Sequence, residues 1–331
     1  MKKRVLFSGF RDPAHSKSGG YDWITGYGDA SDILLLSEVP FGNIPMKSGW
    51  IRLPLAILDL LTRFRRKRYD IVHLFYGDVT MLRFLPYRKS RTHKVVATVH
   101  LDIETRRFKK ALIKQLRALD RIIVLSSGQE RELKEKYDLD AVFIPHGFNR
   151  PVFEKVNVAD RNGRYLDRDK INILTIGKTY RDFDLYDRIV SRLCSRPEIQ
   201  FHLVGAPEDV KSRYENAKNV RVYNRLEDNE FYSLISIADY CFLPLSFATA
   251  NNSLLESQSL DLPLILPSIT GVEDYAAPAP MNIFYTSEKD LCEKLCELKK
   301  SKKDGQLSEF VERFEWSNIY RLLDSLYDNL A

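Results

Sequence analysis

The sequence predicts an α/β protein with two doubly wound, parallel-sheet domains, one in each half of its 331 residues. Short apolar runs rich in β-branched residues alternate with amphipathic helical patterns along the whole chain, as in repeated βαβ units. The chain is longer than one typical domain, so two domains of similar size are expected. Residues 150–170, which are polar, charged and without periodicity, separate the two sets of runs and predict the linker.

Twelve apolar runs predict the strands, six before this linker and six after it. The first six are residues 4–10, 32–37, 70–75, 94–100, 121–125 and 141–145. The second six are residues 171–177, 200–205, 220–223, 239–244, 263–267 and 282–285. Because ligands of open α/β sheets bind beyond the carboxyl ends of the strands, two such sheets predict a cleft between their strand ends. Apolar side chains at helical spacing in residues 316–330 predict a last helix.

Composition excludes several classes of protein. With 44% hydrophobic and 29% charged residues, the chain resembles neither a disordered nor a membrane-spanning protein. The apolar stretch after the basic start is too short for a signal peptide, which predicts the first strand of a cytoplasmic protein. The four cysteines have neither disulfide-framework nor metal-site spacing, so we expect all of them in the core: Cys194, Cys241, Cys292 and Cys296.

The net charge of +6 is distributed unevenly along the chain. Residues 1–150 carry 28 basic and 16 acidic residues, a net of +12, whereas the remainder carries 23 and 29, a net of −6. The first half is therefore the one expected to meet an anionic partner. Electrostatics alone leaves nucleic acid, anionic lipid and a phosphorylated substrate open.

Two basic clusters carry much of this charge. The first consists of Arg63, Arg65, Arg66, Lys67 and Arg68. In the second, one face of a predicted helix carries Arg106, Lys110, Lys114 and Arg117, and the opposite face carries Phe108, Leu112, Leu116 and Leu119. Such a helix suits an anionic bilayer, and a solvated surface helix explains the pattern equally well. Neither cluster is interleaved with aromatic residues, so nucleic-acid binding is not expected.

Two loops carry residues suited to a phosphate. Gly19 and Gly20 follow the first strand and precede a helical stretch, where backbone N–H groups can approach an anion, and a plain turn is the alternative. Lys178 and Arg181 follow the first strand of the second half directly. Two cations at a strand end in an otherwise acidic half suit a diphosphate, and two solvated loop residues are the alternative.

Residues 248–256 (ATANNSLLE) lie between a strand and the next helix. Asn251, Asn252 and Ser253 are expected to present a helix N-terminus to a phosphate, and Glu256 could accept hydrogen bonds from the hydroxyls of a ribose. The segment from Ser253 to Glu256 is also a capping-box pattern, which explains both residues without a ligand. The two interpretations can coexist.

Two histidines are expected at the end of a strand or in a turn. His100 could hydrogen-bond a sugar hydroxyl or move a proton, and a satisfied, partly buried histidine is the alternative. His146 lies between Pro145 and Gly147, which mainly indicate a turn. Acidic pairs of the DxD type occur only in a charged turn and at a helix start, so no metal site is predicted.

In order and spacing, these segments resemble the large group-1, family 4-like family of retaining GT-B glycosyltransferases over nearly the whole chain. In the first half the similarity lies in the Gly-Gly loop, residues 98–100, 124–126 and 144–147, and Phe153. In the second half it lies in residues 177–184, 243–246, 254–256, 262–265 and 314–327.

The resemblance implies an acceptor-binding domain over residues 1–155 and a nucleotide-sugar-binding domain over 156–331, with a last helix, about 315–331, that can cross back to the first. It implies a donor diphosphate held by Gly19, Gly20, Lys178, Arg181, Asn252 and Ser253. It also implies that Glu256 binds the ribose, the backbone around Leu226 the base, and His100 the transferred sugar.

The implied reaction is transfer of a hexosyl or hexosaminyl group, with retention and without metal or other cofactor, from a UDP- or GDP-sugar. The acceptor would be a glycan or polyprenyl-linked molecule in cell-surface polysaccharide or glycoconjugate synthesis. Such enzymes work at the inner face of the cell membrane, in keeping with the positive first half. The alternatives are a catalytically inactive GT-B-like partner of another glycosyltransferase and a nucleotide-sugar epimerase of similar fold.

The sequence departs from the family pattern at the sugar end of the site. A second glutamate usually stands eight positions before the ribose-binding one, where this chain has Ala248. The usual Gly-Phe-Gly is replaced by Thr249, Ala250 and Asn251, so these side chains or their backbone are expected to contact the donor sugar. Lys178 stands where the family has arginine, and Arg181 can supply the planar fork instead.

Overall fold

The computed structural model describes residues 3–11, 18–27, 31–43, 52–78, 92–106, 108–150, 166–214, 216–224 and 226–330. Arg107, Phe153 and most of the predicted linker lie outside these ranges. The chain divides into two compact units. Unit 1 contains Met1–Asn149 and Phe314–Ala331, and unit 2 contains Arg150–Arg313.

Each of the twelve predicted strands is present. They are β1 (Val5–Gly9), β2 (Ser31–Leu35), β3 (Ile71–Leu74), β4 (Lys94–Val99), β5 (Arg121–Val124), β6 (Ala141–Phe143), β7 (Ile171–Ile176), β8 (Ile199–Val204), β9 (Val220–Tyr223), β10 (Tyr240–Phe242), β11 (Leu264–Pro267) and β12 (Ile283–Tyr285).

Ten α-helices occur in the described ranges. They are α1 (Arg52–Arg65), α2 (Lys109–Leu116), α3 (Ser127–Tyr137), α4 (Phe183–Arg192), α5 (Glu208–Lys211), α6 (Asp228–Ile237), α7 (Asn252–Ser259), α8 (Glu288–Cys296), α9 (Gln306–Val311) and α10 (Trp316–Leu330). Within these ranges, no helix is both long enough and apolar enough to cross a bilayer.

Both sheets are parallel and six-stranded, which confirms the predicted α/β class. The order in unit 1 is β2-β1-β3-β4-β5-β6, and the order in unit 2 is β12-β11-β10-β7-β8-β9. Strands are therefore added first on one side of each sheet and then on the other. The reversal lies between β1 and β3 in unit 1 and between β7 and β10 in unit 2. Ligands of doubly wound sheets bind beyond the carboxyl ends of the strands at such reversal points.

Several interior strands of the two sheets are buried along their whole length. Every residue of β1, β3, β7 and β8 is buried, because helices cover both faces of a parallel sheet. Cys241 and Cys292 are buried as predicted. The same prediction was wrong for Cys194 and Cys296, which are exposed because each lies near the end of a helix, on its outer side.

The last helix, α10, packs in unit 1. Its start is joined to the segment after β6, because Phe148 N donates to Phe314 O (3.0 Å) and Trp316 N donates to Phe148 O (3.3 Å). Trp316 is fully buried, and a Cβ at Gly147 would lie 2.4 Å from its ring. Glycine is therefore required at position 147 for the indole to pack.

A buried histidine ties this helix to the centre of the unit 1 sheet. His73 on β3 forms hydrogen bonds through Nδ1 with Tyr327 Oη (2.6 Å) and through Nε2 with Thr98 Oγ1 (2.7 Å). Burial lowers the pKa of His73 to about 3, so the ring is neutral in the folded protein.

We expect this histidine to make unit 1 less stable in acid. Its pKa is about 6.5 in the unfolded chain and about 3 in the folded one, so the unfolded state binds more protons as pH falls below 6.5. Between pH 8 and pH 5 the histidine should cost about 2 kcal/mol of unfolding free energy. Urea unfolding followed by tryptophan fluorescence reports unit 1, because Trp23, Trp50 and Trp316 all belong to it. A His73→Phe variant with the same loss between the two pH values would contradict this.

Candidate active site

Two glycines form the carboxyl ends of β7 and β8. Gly177 has φ of 78° and Gly205 has φ of 70°, a left-handed conformation that other residues rarely adopt. A Cβ at Gly205 would lie 3.8 Å from the Gly177 backbone, so the two turns are in close contact. Neither Gly177 nor Gly205 has a side chain that could cover the main chain at the carboxyl ends of β7 and β8.

The loop after β7 reaches the reversal point between β7 and β10. Asp182 N donates to Pro244 O (2.7 Å), and Ser246 N donates to Tyr180 O (3.0 Å). Arg181 is thus held beyond the carboxyl ends of β7 and β10, opposite Leu245. Within the loop, Arg181 Nε donates to Ile176 O and Nη1 to Thr179 O, each at 2.9 Å.

The third guanidinium nitrogen of Arg181 and a hydroxyl of α7 border the same space above Gly177. A Cβ at Gly177 would lie 3.5 Å from Arg181 Nη2 and 3.8 Å from Ser253 Oγ. Arg181 Nη2 donates no hydrogen bond to any residue in the described ranges. The fold therefore brings together Arg181 and Ser253, which are far apart in the sequence.

Arg181 is a half-buried cation without a counter-ion in the described part of the chain. Burial lowers its pKa to about 10, which leaves the guanidinium charged at neutral pH. A buried charge is costly unless an opposite charge compensates it. Lys178, on the same loop, is exposed. The arrangement fits an anion placed between Arg181 and Ser253.

Helix α7 begins two residues earlier than a capping box at Ser253 would require. Its N-cap is Asn251, whose Oδ1 accepts from Leu254 N (3.2 Å), so the capping-box interpretation of Ser253 and Glu256 was wrong. The physical reason is that Asn251 is the last residue with extended backbone, and Asn252 is already helical. Asn252 and Ser253 therefore lie in the first turn, where free backbone N–H groups attract an anion.

The predicted ribose and sugar residues lie deeper in unit 2. Glu256 is only 3% exposed, on the inner side of α7, and Ala248 and Thr249 are buried. Ala250 and Asn251 are half-buried. A Cβ at Gly271 (φ 43°) would lie 2.0 Å from Ala248 O. Sequence reasoning missed Gly271, which lies in the loop four residues after the end of β11, although a loop glycine can indicate close backbone approach.

Leu226 lies at the same carboxyl edge of the unit 2 sheet. It is half-buried and follows β9, which is two strands away from β7. The base predicted at its backbone would lie along this edge. In the described ranges, no cluster of three or more His, Cys, Asp or Glu side chains suited to a metal occurs in either unit.

In unit 1, His100 directly follows β4 and packs among aromatic rings. Its Nε2 lies 2.7 Å from Phe75 O and must donate, because a carbonyl only accepts. The Tyr76 ring stacks on it at 4.4 Å, and Phe10 stacks on Tyr76 at 4.1 Å. When the His100 ring is neutral, Nδ1 is therefore its acceptor nitrogen. His146 is buried, with Nδ1 bound to Gly147 O at 2.6 Å.

A buried ion pair holds the backbone beside His100. Asp78 accepts from Leu101 N (2.8 Å) and from Arg106 Nη2 (3.2 Å). Burial raises the pKa of Asp78, and the neighbouring guanidinium opposes the rise. Arg106 is thus bound to a carboxylate and is not a free cation of the predicted basic patch.

The glycines of the first loop have an acidic neighbour. A Cβ at Gly20 would lie 2.7 Å from Asp22 Oδ1, and Arg11 Nε contacts the other carboxylate oxygen at 3.0 Å. The helical stretch that follows is a 3-10 helix, Tyr21–Tyr27. A phosphate at Gly19 and Gly20 would meet this carboxylate, and the role of both glycines stays a prediction.

The two basic clusters differ in what their helices expose. On α2, Lys110 and Lys114 are exposed, while Leu112, Leu116 and Leu119 are buried in unit 1. On α1, Arg63 Nε pairs with buried Asp59 at 2.8 Å, one helical turn earlier. Three of the four apolar residues predicted on this face are therefore packed in the core of their own unit, whereas Phe108 is 51% exposed at the N-cap of α2.

Two family descriptions match the sequence. Residues 21–150 match "Glycosyltransferase Family 4", and residues 170–300 match "Glycosyl transferases group 1". No curated protein matches the sequence significantly.

Solved structures share the fold at low sequence identity. Sucrose-phosphate synthase from Thermosynechococcus elongatus is 18% identical with a TM-score of 0.69, over 98% of this chain and 88% of that one. The lipopolysaccharide outer core galactosyltransferase WaaB is 14% identical with a TM-score of 0.69, over 98% and 99%. HepE of Anabaena, in complex with UDP and glucose, is 12% identical with a TM-score of 0.66, over 99% and 100%.

The two family matches together span most of both units, and the paired parallel sheets are those of GT-B glycosyltransferases. The predicted family and enzyme class are thereby confirmed. This chain belongs to the group 1 glycosyltransferases, with a family 4 first half, and is a glycosyltransferase of the GT-B fold.

Proposed function

We propose that this enzyme transfers a hexosyl or hexosaminyl group from a UDP- or GDP-sugar to a glycan or lipid-linked acceptor in cell-surface glycan synthesis. We further propose that transfer proceeds with retention and without a metal, at the inner face of the cell membrane. The observation that carries the proposal is the half-buried Arg181, which has no carboxylate partner in the described ranges and borders one space with Ser253.

The proposed chemistry uses this cation at the leaving group. As the bond from the anomeric carbon to the β-phosphate oxygen breaks, negative charge grows on the nucleoside diphosphate. Arg181 Nη2, Ser253 Oγ and the first N–H groups of α7 are the donors proposed to stabilise that charge. The exposed Lys178 adds a second positive charge, so two side chains supply what a divalent cation supplies elsewhere.

Proteins of the same fold support the donor and acceptor classes. HepE is in complex with UDP and glucose, and WaaB is a galactosyltransferase of the lipopolysaccharide outer core. Binding of the ribose by Glu256, of the base near Leu226 and of the transferred sugar by His100 is part of the proposal. An inactive binding partner and an epimerase stay the alternatives.

Calorimetry with a panel of UDP- and GDP-sugars tests the site through Gly177→Ala. The new methyl group would stand between Arg181 Nη2 and Ser253 Oγ, at 3.5 and 3.8 Å, where the phosphate is expected. We expect donor affinity to fall at least about tenfold, while the positive φ costs only about 1 kcal/mol of stability.

Gly205→Ala is the matched control for this variant. It carries the same left-handed strain, but its methyl would face only the Gly177 backbone at 3.8 Å. Donor affinity should therefore stay close to that of the wild type. Equal affinity in both variants would place the diphosphate elsewhere.

Product analysis separates the proposed reaction from its alternatives. NMR of the transferred sugar should show the anomeric configuration of the donor, and turnover should persist in EDTA. An inverted product would contradict retention, and donor binding without turnover over a panel of acceptors would favour an inactive partner. Release of an epimeric nucleotide sugar would favour an epimerase.

A further inference from the structure

Helix α1 exposes a continuous apolar stripe. Leu53, Leu60 and Phe64 are 52%, 64% and 74% exposed, and Ile57 between them is half-buried. At 3.6 residues per turn these four side chains fall within about 60° of arc. We call them the α1 outer face.

The opposite side of the same helix is already packed. Leu55, Leu58 and Thr62 are buried, and the helix contacts β1 and β2. The outer face is therefore not needed for the core of unit 1. A surface helix normally carries polar residues on its outer side, so a contiguous apolar one indicates an interaction surface.

Unpaired positive charge lies at the end of this helix. Arg65 ends α1, and Arg66, Lys67 and Arg68 form the turn that follows. In the described ranges none of these four cations forms an ion pair, in contrast to Arg63 with Asp59. A basic turn beside an apolar face complements a surface that is anionic outside and apolar beneath, which is the character of an anionic bilayer.

We infer that the α1 outer face docks unit 1 on an anionic bilayer. Its four apolar side chains insert among the headgroups, and the basic turn contacts the lipid phosphates. This inference rests on the proposed membrane location and is independent of the donor site, because none of its residues belongs to unit 2. It assigns the lipid contact to α1, since three of the four apolar residues of the α2 face are buried, namely Leu112, Leu116 and Leu119, and Phe108 alone of that face is exposed, at 51%.

Vesicle flotation with the full chain tests the inference. Vesicles are either phosphatidylcholine alone or an equal mixture with phosphatidylglycerol. We expect binding to the anionic vesicles only, and at least about a tenfold loss of affinity in Leu60→Asp/Phe64→Asp, since apolar insertion and charge both contribute. Lys67→Glu/Arg68→Glu should weaken binding to anionic vesicles by about fivefold or more per charge, and should reduce its salt dependence.

Leu322→Asp is the matched control. Leu322 is an exposed leucine of the same unit, 51% exposed on α10, so its replacement introduces one of the two negative charges of the double variant at a similar exposure. Vesicle affinity should not change in this variant. Unfolding followed by tryptophan fluorescence checks that each variant is folded.

Two results would overturn the inference. One is unchanged vesicle binding in Leu60→Asp/Phe64→Asp. The other is a wild type that ignores anionic vesicles but forms dimers which this variant dissociates, since the face would then be a protein interface. Donor calorimetry on the same samples separates the two proposals. Normal donor binding together with lost vesicle binding in Leu60→Asp/Phe64→Asp supports both of them. A wild type that binds vesicles but no donor contradicts only the proposed function.

Discussion

Replacing Arg181 with alanine is expected to weaken nucleotide-diphosphate binding about 10- to 100-fold, the value of hydrogen bonds to a charged group. Its guanidinium is half-buried, charged at neutral pH and unpaired with any carboxylate in the described ranges. Two of its nitrogens are bound to Ile176 O and Thr179 O, so the side chain is already oriented before an anion arrives. Calorimetry with UDP, GDP and their sugars measures the effect.

Two variants sharpen this prediction. Arg181→Lys keeps the charge but cannot form both carbonyl bonds and also reach the anion, so it should recover only part of the affinity. Arg188→Ala removes the same charge from the same loop–helix segment. It should leave binding unchanged, because Arg188 is exposed and pairs with Glu288 at 2.9 Å. Wild-type affinity in Arg181→Ala would contradict the diphosphate assignment.

Replacing Trp316 with alanine is expected to destabilise unit 1 by about 3 to 5 kcal/mol, the cost of removing a fully buried large aromatic side chain. The indole packs edge-on against Tyr21 at 5.3 Å and lies 5.0 Å from His146. Gly147 has no side chain that could fill the cavity. Urea unfolding measures the loss through the remaining tryptophans, Trp23 and Trp50, which also belong to unit 1.

Leu322→Ala serves as the control for this helix. Leu322 is 51% exposed on α10, so its truncation should change the unfolding free energy by no more than about 0.5 kcal/mol. A Trp316→Ala effect as small as that of Leu322→Ala would mean that α10 contributes little to the stability of unit 1.

The strands and the two-sheet architecture could be predicted because their signals are local. Buried parallel strands are short apolar runs, and β7, with all six residues buried, is an example. The start of α7 could not be predicted to the residue. Asn251, Asn252 and Ser253 are all good N-cap residues, and only the backbone conformation in the folded protein shows that Asn251 is the cap.

The candidate site, too, could be predicted from the sequence only in part. Sequence order and spacing named Arg181, Ser253 and Glu256, but gave no sign that Arg181 is half-buried while Lys178 is exposed. The sequence equally could not predict that Arg106 pairs with Asp78, because the two residues are 28 positions apart. The pairing of Arg63 with Asp59 is a one-turn helical contact that spacing could have suggested.

The sequence by itself determined the fold class, the family and the segments that line the strand ends, because periodicity and motif order are properties of neighbouring residues. Only the tertiary structure decided which cations are already paired and which apolar helix face is left exposed. Arg181 and the α1 outer face were identified from the tertiary structure in this way. The physical reason is that burial and charge compensation depend on groups brought together from distant parts of the chain, and one residue's surroundings cannot be read from its neighbours in sequence.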